Sequence, residues 1–321
     1  METYLGLDFG GTKLLIGEVD ACGNILASKQ YTTGYVNQQS AVDIILSSLG
    51  DYMRSVGQSS RRPSAIGIGL IGRVDTSAGQ WLQIDADRSQ PIDLADRITE
   101  VYGLPCYLAN DVKSATMAEL RWGYGRLSGN FIYINIGTGI AAGTVIDGRI
   151  TMGGHFNAGE VGHTQTGVRT GVRCCCGRTD CVEAIASGTG LDLCARMLAP
   201  HYPGTALEIP GDGRRVDGRR VFDLARKNDP LCTVLVDNAA RGIANLIMNL
   251  VRVTDPDTVV LGGGIVSDPM MYSNILTHLH KHTMRFVTNG VVLTRLEPAC
   301  AGLLGAAAVA ATMNAKIPQT V

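Results

Sequence analysis

This chain of 321 residues is poor in net charge, in long apolar runs and in paired cysteines, and each shortage excludes something. Its 28 Lys and Arg nearly balance 29 Asp and Glu, for a formal net charge of −1. Bulk electrostatic attraction to nucleic acid or to an anionic membrane is therefore not expected. No run reaches the roughly 18 apolar residues of a spanning helix. The nearest stretch, AGLLGAAAVAATM at Ala301–Met313, is short and small-sided and reads as a buried terminal helix. The opening METYLGLDFGG has no basic segment ahead of its apolar residues, so no secretory signal is expected and the cytoplasm is the expected compartment. Nine cysteines cannot all pair, and Cys22, Cys106, Cys194, Cys232 and Cys300 are scattered singly. The other four fall between Cys174 and Cys181. In a chain read as lacking a signal peptide, such a cluster points to metal rather than to disulfides.

What is present suggests a duplicated α/β plan. With 45% hydrophobic residues the chain is long enough for one large or two ordinary domains. YLGLDFGGTKLLIGEVDACGNIL (Tyr4–Leu26) and YINIGTGIAAGTVIDGRI (Tyr133–Ile150) follow one pattern: apolar strand, Gly-Thr turn, second apolar strand, Asp-containing turn. A single repeat at this separation suggests domain duplication rather than a solenoid. Val42, Ile45, Leu46, Leu49, Met53 and Val56 recur at helical spacing and predict a helix over 40–56. AIGIGL (65–70) and TVVLGGG (258–264) read as short buried strands. LVDNAARGIANLIMNLVRVTD reads as a long core helix, and the Gly-, Pro- and charge-rich stretch 201–220 as a mobile surface excursion.

Three motifs carry chemistry. DFGGTK (Asp8–Lys13) is either an ordinary hairpin turn or a backbone cradle for phosphate, built from Gly10, Gly11 and Thr12. The second copy, Gly137, Thr138 and Gly139, favours the cradle, because two such hairpins would clamp a polyphosphate. Gly262, Gly263 and Gly264 close a strand and could pass an adenosine ring. Asn110 and Asp111 stand at a strand end before a helix, where Asp111 is either a helix cap or a general base. In GGHFNAGEVGHTQTGVRTGVRCCCGRTDCVE (Gly153–Glu183), His163 with Cys174, Cys176 and Cys181 would supply the four ligands of structural zinc. A metal-free redox cluster is the alternative, and spacing does not settle which three cysteines would bind.

With these motifs in hand, the chain resembles the ROK family (repressor, open reading frame, kinase) over almost its whole length. DFGGTK, AND (109–111), GTGIAAG (137–143), AGEVGH (158–163), CCCGRTDCVE (174–183) and LGGG (261–264) carry the resemblance. It implies an α/β fold, actin/hexokinase-like (ribonuclease H-like), with two duplicated domains and an interdomain cleft. Residues 1–115, completed by 301–321, would form the smaller domain and 116–300 the larger, zinc-bearing one. The resemblance implies an ATP-dependent sugar kinase using Mg²⁺ and structural Zn²⁺. Asp8 would hold Mg²⁺ through water beside Lys13. Asp111 would be the base toward the sugar 6-hydroxyl. Gly72, Arg73, Asn110, Asp111, Glu160, His163 and Glu183 would contact sugar, with His163 also on zinc. GRVD (72–75) and CVEAIASG (181–188) resemble the family's N-acetylmannosamine kinases. That sugar is expected first, with glucose or N-acetylglucosamine next. The usual Asn-Leu pair and Trp of the first sugar loop are replaced, with Asp85–Arg88 expected to rank sugars, and Asp180 stands where glycine is usual. The expected partners are sugar and nucleotide, no nucleic acid, no membrane, and a second copy in a homodimer. The rivals are a ROK transcriptional repressor and a sugar-sensing pseudokinase.

Overall fold

The computed structural model describes residues 2–34, 37–56, 62–84 and 90–315. The chain divides into two compact units. One holds Met1–Leu127, Gly148–Ala158 and Arg295–Val321; the other holds Ser128–Asp147 and Gly159–Thr294. A boundary at residue 115 would cut a helix that packs closely within the first unit; the division instead falls after Leu127.

The first unit opens with an antiparallel meander, β1 (Thr3–Phe9), β2 (Lys13–Asp20) and β3 (Ile25–Thr32). Helix α1 (Gln38–Ser55) follows, held at its start by a reciprocal cap between Asn37 and Ser40. It buries Val42, Ile45 and Leu49 of the predicted face, with Ala41 and Tyr52 beside them, while Leu46, Met53 and Val56 are half-buried. Then come β4 (Ala65–Leu70), the hairpin β5 (Arg73–Asp75) and β6 (Gln80–Gln83), α2 (Leu94–Tyr102), β7 (Cys106–Asn110) and α3 (Asp111–Trp122). The sheet order is β3-β2-β1-β4-β7, with β4 parallel to β1 and β7 parallel to β4.

The second unit repeats this wiring. β8 (Phe131–Ile136) and β9 (Ile140–Ile146) form its hairpin; the short β10 (Arg149–Ile150) belongs to the first unit. Helices α4 (Val182–Ala186), α5 (Gly188–Leu198), α6 (Gly218–Ala225) and α7 (Pro230–Thr254) precede β11 (Thr258–Gly262), α8 (Pro269–Thr277) and β12 (Val291–Leu293). Here β9-β8-β11-β12 matches β2-β1-β4-β7, with β11 parallel to both β8 and β12. Two sheets with the same strand order and the same antiparallel-then-parallel pattern make this the duplicated two-domain α/β fold that the repeat implies. The parallel strands are buried on both faces, which explains their unbroken apolar runs.

Helix α9 (Ala301–Asn314) packs on β1, β4 and α3 of the first unit. Its small residues have a steric cause. A Cβ at Gly67 would strike the Ala306 carbonyl, and one at Gly6 the Leu303 carbonyl. Helix and sheet backbones therefore approach closely only through glycine and alanine. Helix α7 is the one described helix long and apolar enough to span a membrane. It carries Leu235, Val236, Ile243 and Ile247 into the second unit's core.

The stretch 201–220 departs from expectation: it is tied down. The Asp229 carboxylate accepts from the Ala206 N–H (2.7 Å) and the Thr205 hydroxyl (2.8 Å). Arg196 on α5 donates to the carbonyls of Pro210 (2.8 Å) and Arg214 (2.7 Å). Asp192, one turn earlier, accepts from Arg196 (3.0 Å) and from the Val216 N–H (2.9 Å). Gly and Pro content shows a non-helical path but is silent on such side-chain anchors.

Candidate functional site

In the first unit, β1 delivers Asp8 to the start of the Gly10–Lys13 turn, which the Gly10 N–H closes on the Lys13 carbonyl at 2.9 Å. Burial pushes the Asp8 carboxyl up, while the charge of Lys13 pulls it down. Asp8 lies against the first turn of α9, where a Cβ at Gly302 would collide with its carboxylate. A Cβ at Gly11 meets nothing within 4 Å, and one at Gly10 makes only ordinary contact with the Lys13 carbonyl. Neither has positive φ. The fold itself does not demand these two glycines, and open space at the turn fits a ligand.

The junction of β7 and α3 separates two roles that sequence left joined. Asn110 is the cap: its side-chain oxygen accepts from the N–H groups of Val112 (3.0 Å) and Lys113 (3.4 Å). Its amide nitrogen donates to the Gly72 carbonyl at 2.9 Å, fixing the turn into β5. Asp111 is the first helical residue, half-buried, accepting from the Val112 N–H at 2.9 Å. Gly72 has φ +85°, and a Cβ there would strike the Gln83 carbonyl, so its glycine is structural. Arg73 follows at the start of β5, its Nε buried with no partner among the described residues. Lys113, missed by sequence reasoning, is buried and donates to the Phe156 carbonyl at 2.7 Å. An isolated lysine in a helix carries no signal of burial. Asp85–Arg88 lies outside the described residues.

In the second unit the glycines of the Gly137–Gly139 hairpin have separate reasons. The hairpin docks on the start of α5, the Gly137 carbonyl accepting from the Gly188 N–H at 2.8 Å. Gly139 must be small because Glu183 sits over it, accepting from the Ile140 N–H at 2.8 Å. Gly137 and Gly264 have no close neighbour that forbids a side chain. Gly262 is pressed by Tyr133, and Gly263 has φ +95° against the Ile136 backbone. Beside this hairpin opens a cavity of about 790 Å³, also lined by residues 215–219, Phe222, Gly264 and Ser267. It is roomy enough for a nucleotide.

Glu160 is exposed at the start of the short turn Val161–His163, and Glu183 is half-buried on α4. The ligand atoms of His163, Cys174, Cys176 and Cys181 all lie within 4.8 Å of one another. The Cys174 Sγ is 3.5 Å from His163 Nδ1, and the Cys176 and Cys181 sulfurs are 3.5 Å apart. Ligands on a tetrahedral zinc about 2.0–2.3 Å away stand at roughly such separations, so the donor set fits the ion. A turn closed by the Gly177 N–H on the Cys174 carbonyl (3.0 Å) presents the thiols, and the Arg178 guanidinium donates to the His163 carbonyl. The Arg178 backbone N–H helps bring the Cys176 thiol down to about 6, which favours the thiolate that metal needs. His163, Cys174, Cys175 and Glu183 form a second close group. Asp180, standing for the usual glycine, has φ +58°. Aspartate tolerates this left-handed backbone, and its carboxylate ties down the N–H groups of Thr170 (2.8 Å) and Gly171 (2.7 Å).

The sequence profile of the ROK family matches residues 4–313. A glucokinase of Streptomyces coelicolor is 30% identical, over 97% of this chain and 98% of its own length. An N-acetylmannosamine kinase of Yersinia pestis is 28% identical, over 83% and 84%. The DNA-binding regulator NagC of Escherichia coli is 24% identical over 91% of this chain, which covers 71% of the regulator. Among solved structures, a ROK glucokinase of Streptomyces griseus in complex with glucose and AMPPNP superposes with a TM-score of 0.77. It is 27% identical, over 97% of this chain and 99% of that one.

Proposed function

Since the chain belongs to the ROK family, we propose that it is an ATP-dependent kinase acting on the 6-hydroxyl of a hexose or N-acetylhexosamine. Kinase activity is supported by the full-length likeness to glucokinases, one of them solved with glucose and an ATP analogue. The observation that carries the catalytic assignment is the division of labour at residues 110 and 111. Asn110 caps α3, so a carboxylate at Asp111 is not required for capping.

In this reading Asp111 accepts the proton of the sugar hydroxyl as its oxygen attacks the γ-phosphorus, and ADP leaves with the electron pair of the broken P–O bond. Phosphoryl transfer of this kind asks for positioning and charge neutralisation, with little covalent work for the protein. The Gly10–Lys13 and Gly137–Gly139 hairpins and Gly262–Gly264 bind the donor. Asp8 would hold Mg²⁺, where a cation offsets the cost of burying its carboxylate. Asn110, Glu160, His163 and Glu183, with Gly72 and Arg73, engage the sugar. His163, Cys174, Cys176 and Cys181 would hold zinc, which would supply a cross-link between the Cys174–Cys181 turn and the Glu160–His163 turn. Carboxylates suit sugar recognition because each can accept from two hydroxyls.

Polar groups that a bound sugar shields from water discriminate strongly, since a sugar lacking a matching hydroxyl leaves them unpaired. One sugar should therefore lead a panel of hexoses and N-acetylhexosamines by a large factor, with N-acetylmannosamine and glucose the first to compare. ADP release measured across that panel tests this, and Glu160→Ala should damage every accepted sugar. Uniform rates for all sugars would contradict a selective site. The regulator reading suggested by NagC predicts no turnover with any of them.

A further inference from the structure

The anchored excursion of the second unit ends in the cavity beside the Gly137–Gly139 hairpin, and its composition differs from that of the hairpin. Arg215 and Arg219 are exposed and line the cavity, and their guanidiniums have no hydrogen-bond or ion-pair partner among the described residues. Three carboxylates share this wall: Asp217, Asp223 and Asp268. Asp217 accepts from the Arg219 N–H at 3.0 Å as the cap of α6. Asp268 is gripped by Arg226 at 2.6 Å, and the same guanidinium reaches Asp223 at 3.0 Å. With Arg226 paired to two of these carboxylates, three guanidiniums balance three carboxylates, so the wall with its support is close to neutral. A triphosphate gains little from such a wall, whereas backbone N–H groups at glycine hairpins suit it. An uncharged planar base does gain, because a guanidinium stacks on an aromatic face.

The wall is also built to stay in place. Arg196 bridges the Pro210 and Arg214 carbonyls, and Asp192 holds both Arg196 and the Val216 N–H. Val216, between the residues in question, is buried. The charge and hydrogen bonds of α5 are spent on fixing the backbone that presents Arg215 and Arg219.

We propose that Arg215 and Arg219 recognise the nucleoside end of the phosphoryl donor, stacking on its base, and that Asp192 and Arg196 are positioning residues for that wall. This rests on reading the cavity as the donor site.

The test is calorimetric binding of two probes, Mg-AMPPNP and magnesium tripolyphosphate, to the full chain and its variants. Arg215→Ala and Arg219→Ala should each weaken AMPPNP about five-fold or more, with tripolyphosphate changed by less than about two-fold. Equal weakening of both probes would show that the arginines bind phosphate, and no weakening that they bind nothing; either result overturns the proposal. Arg196→Ala should weaken AMPPNP by a similar factor in the wild-type chain. In a chain already carrying Arg215→Ala and Arg219→Ala it should add less than about two-fold. A full additional loss there would show that Arg196 acts elsewhere. Arg220→Ala is the control and should leave both probes unchanged. Binding requires neither sugar nor turnover, so a failure here is separate from a failure to phosphorylate any sugar.

Discussion

Asn110 and Asp111 are adjacent, polar and similar in size, yet the β7–α3 junction gives them separate work. Asn110 spends its oxygen on the helix start and its amide on the Gly72 carbonyl. Asp111→Asn therefore preserves the cap and the shape while removing the base. Turnover should fall about 10²-fold or more with sugar binding largely kept. Near-normal kcat in that variant would make Asp111 a structural residue. At Gly11 the reasoning concerns empty space. A side chain there meets no protein atom within 4 Å, so Gly11→Val should fold with little change in Tm. It should nevertheless raise the KM for ATP, because the valine occupies room reserved for phosphate. A large fall in Tm with unchanged KM would mean that the glycine serves the turn alone. The sequence marked residues 110 and 111 as a pair but not their division, because capping depends on which side chain the strand end turns inward. It marked Asp180 as unusual but not the reason, which is a left-handed backbone that both glycine and aspartate accept.

Among elements, the cysteine turn was the most legible, because its chemistry is local. Metal ligands a few residues apart on a Gly-containing turn leave few geometries open, and His163 is carried to them by the earlier Val161–His163 turn. Ordinary purification should give about one zinc per chain by elemental analysis. Cys176→Ser should lose the metal, whereas Cys175→Ser should keep it, since Cys175 lies outside the Cys3His group. The opposite pattern would assign the ion to the group containing Cys175 and Glu183. The excursion at 201–220 was the least legible element. Its anchors, Asp192, Arg196 and Asp229, lie outside the stretch itself, and no local pattern links a helical aspartate to a backbone N–H 24 residues later.

At the scale of the whole molecule, a repeat visible in two short segments extends to two sheets of matching strand order. The sequence could announce this because the hairpin is contiguous in each half. The resemblance placed 301–321 with the first unit, where α9 packs on β1, β4 and α3, whereas the return of Gly148–Ala158 to that unit had no local signal. In this fold, phosphate moves from ATP to sugar. ³¹P NMR of the protein with Mg-ATP and the leading sugar of the panel tests it most directly. The predicted result is ADP and a sugar phosphate ester appearing in equal amounts, at a rate that Asp111→Asn abolishes or nearly so. Unchanged ATP, or ADP accompanied only by inorganic phosphate, would contradict it.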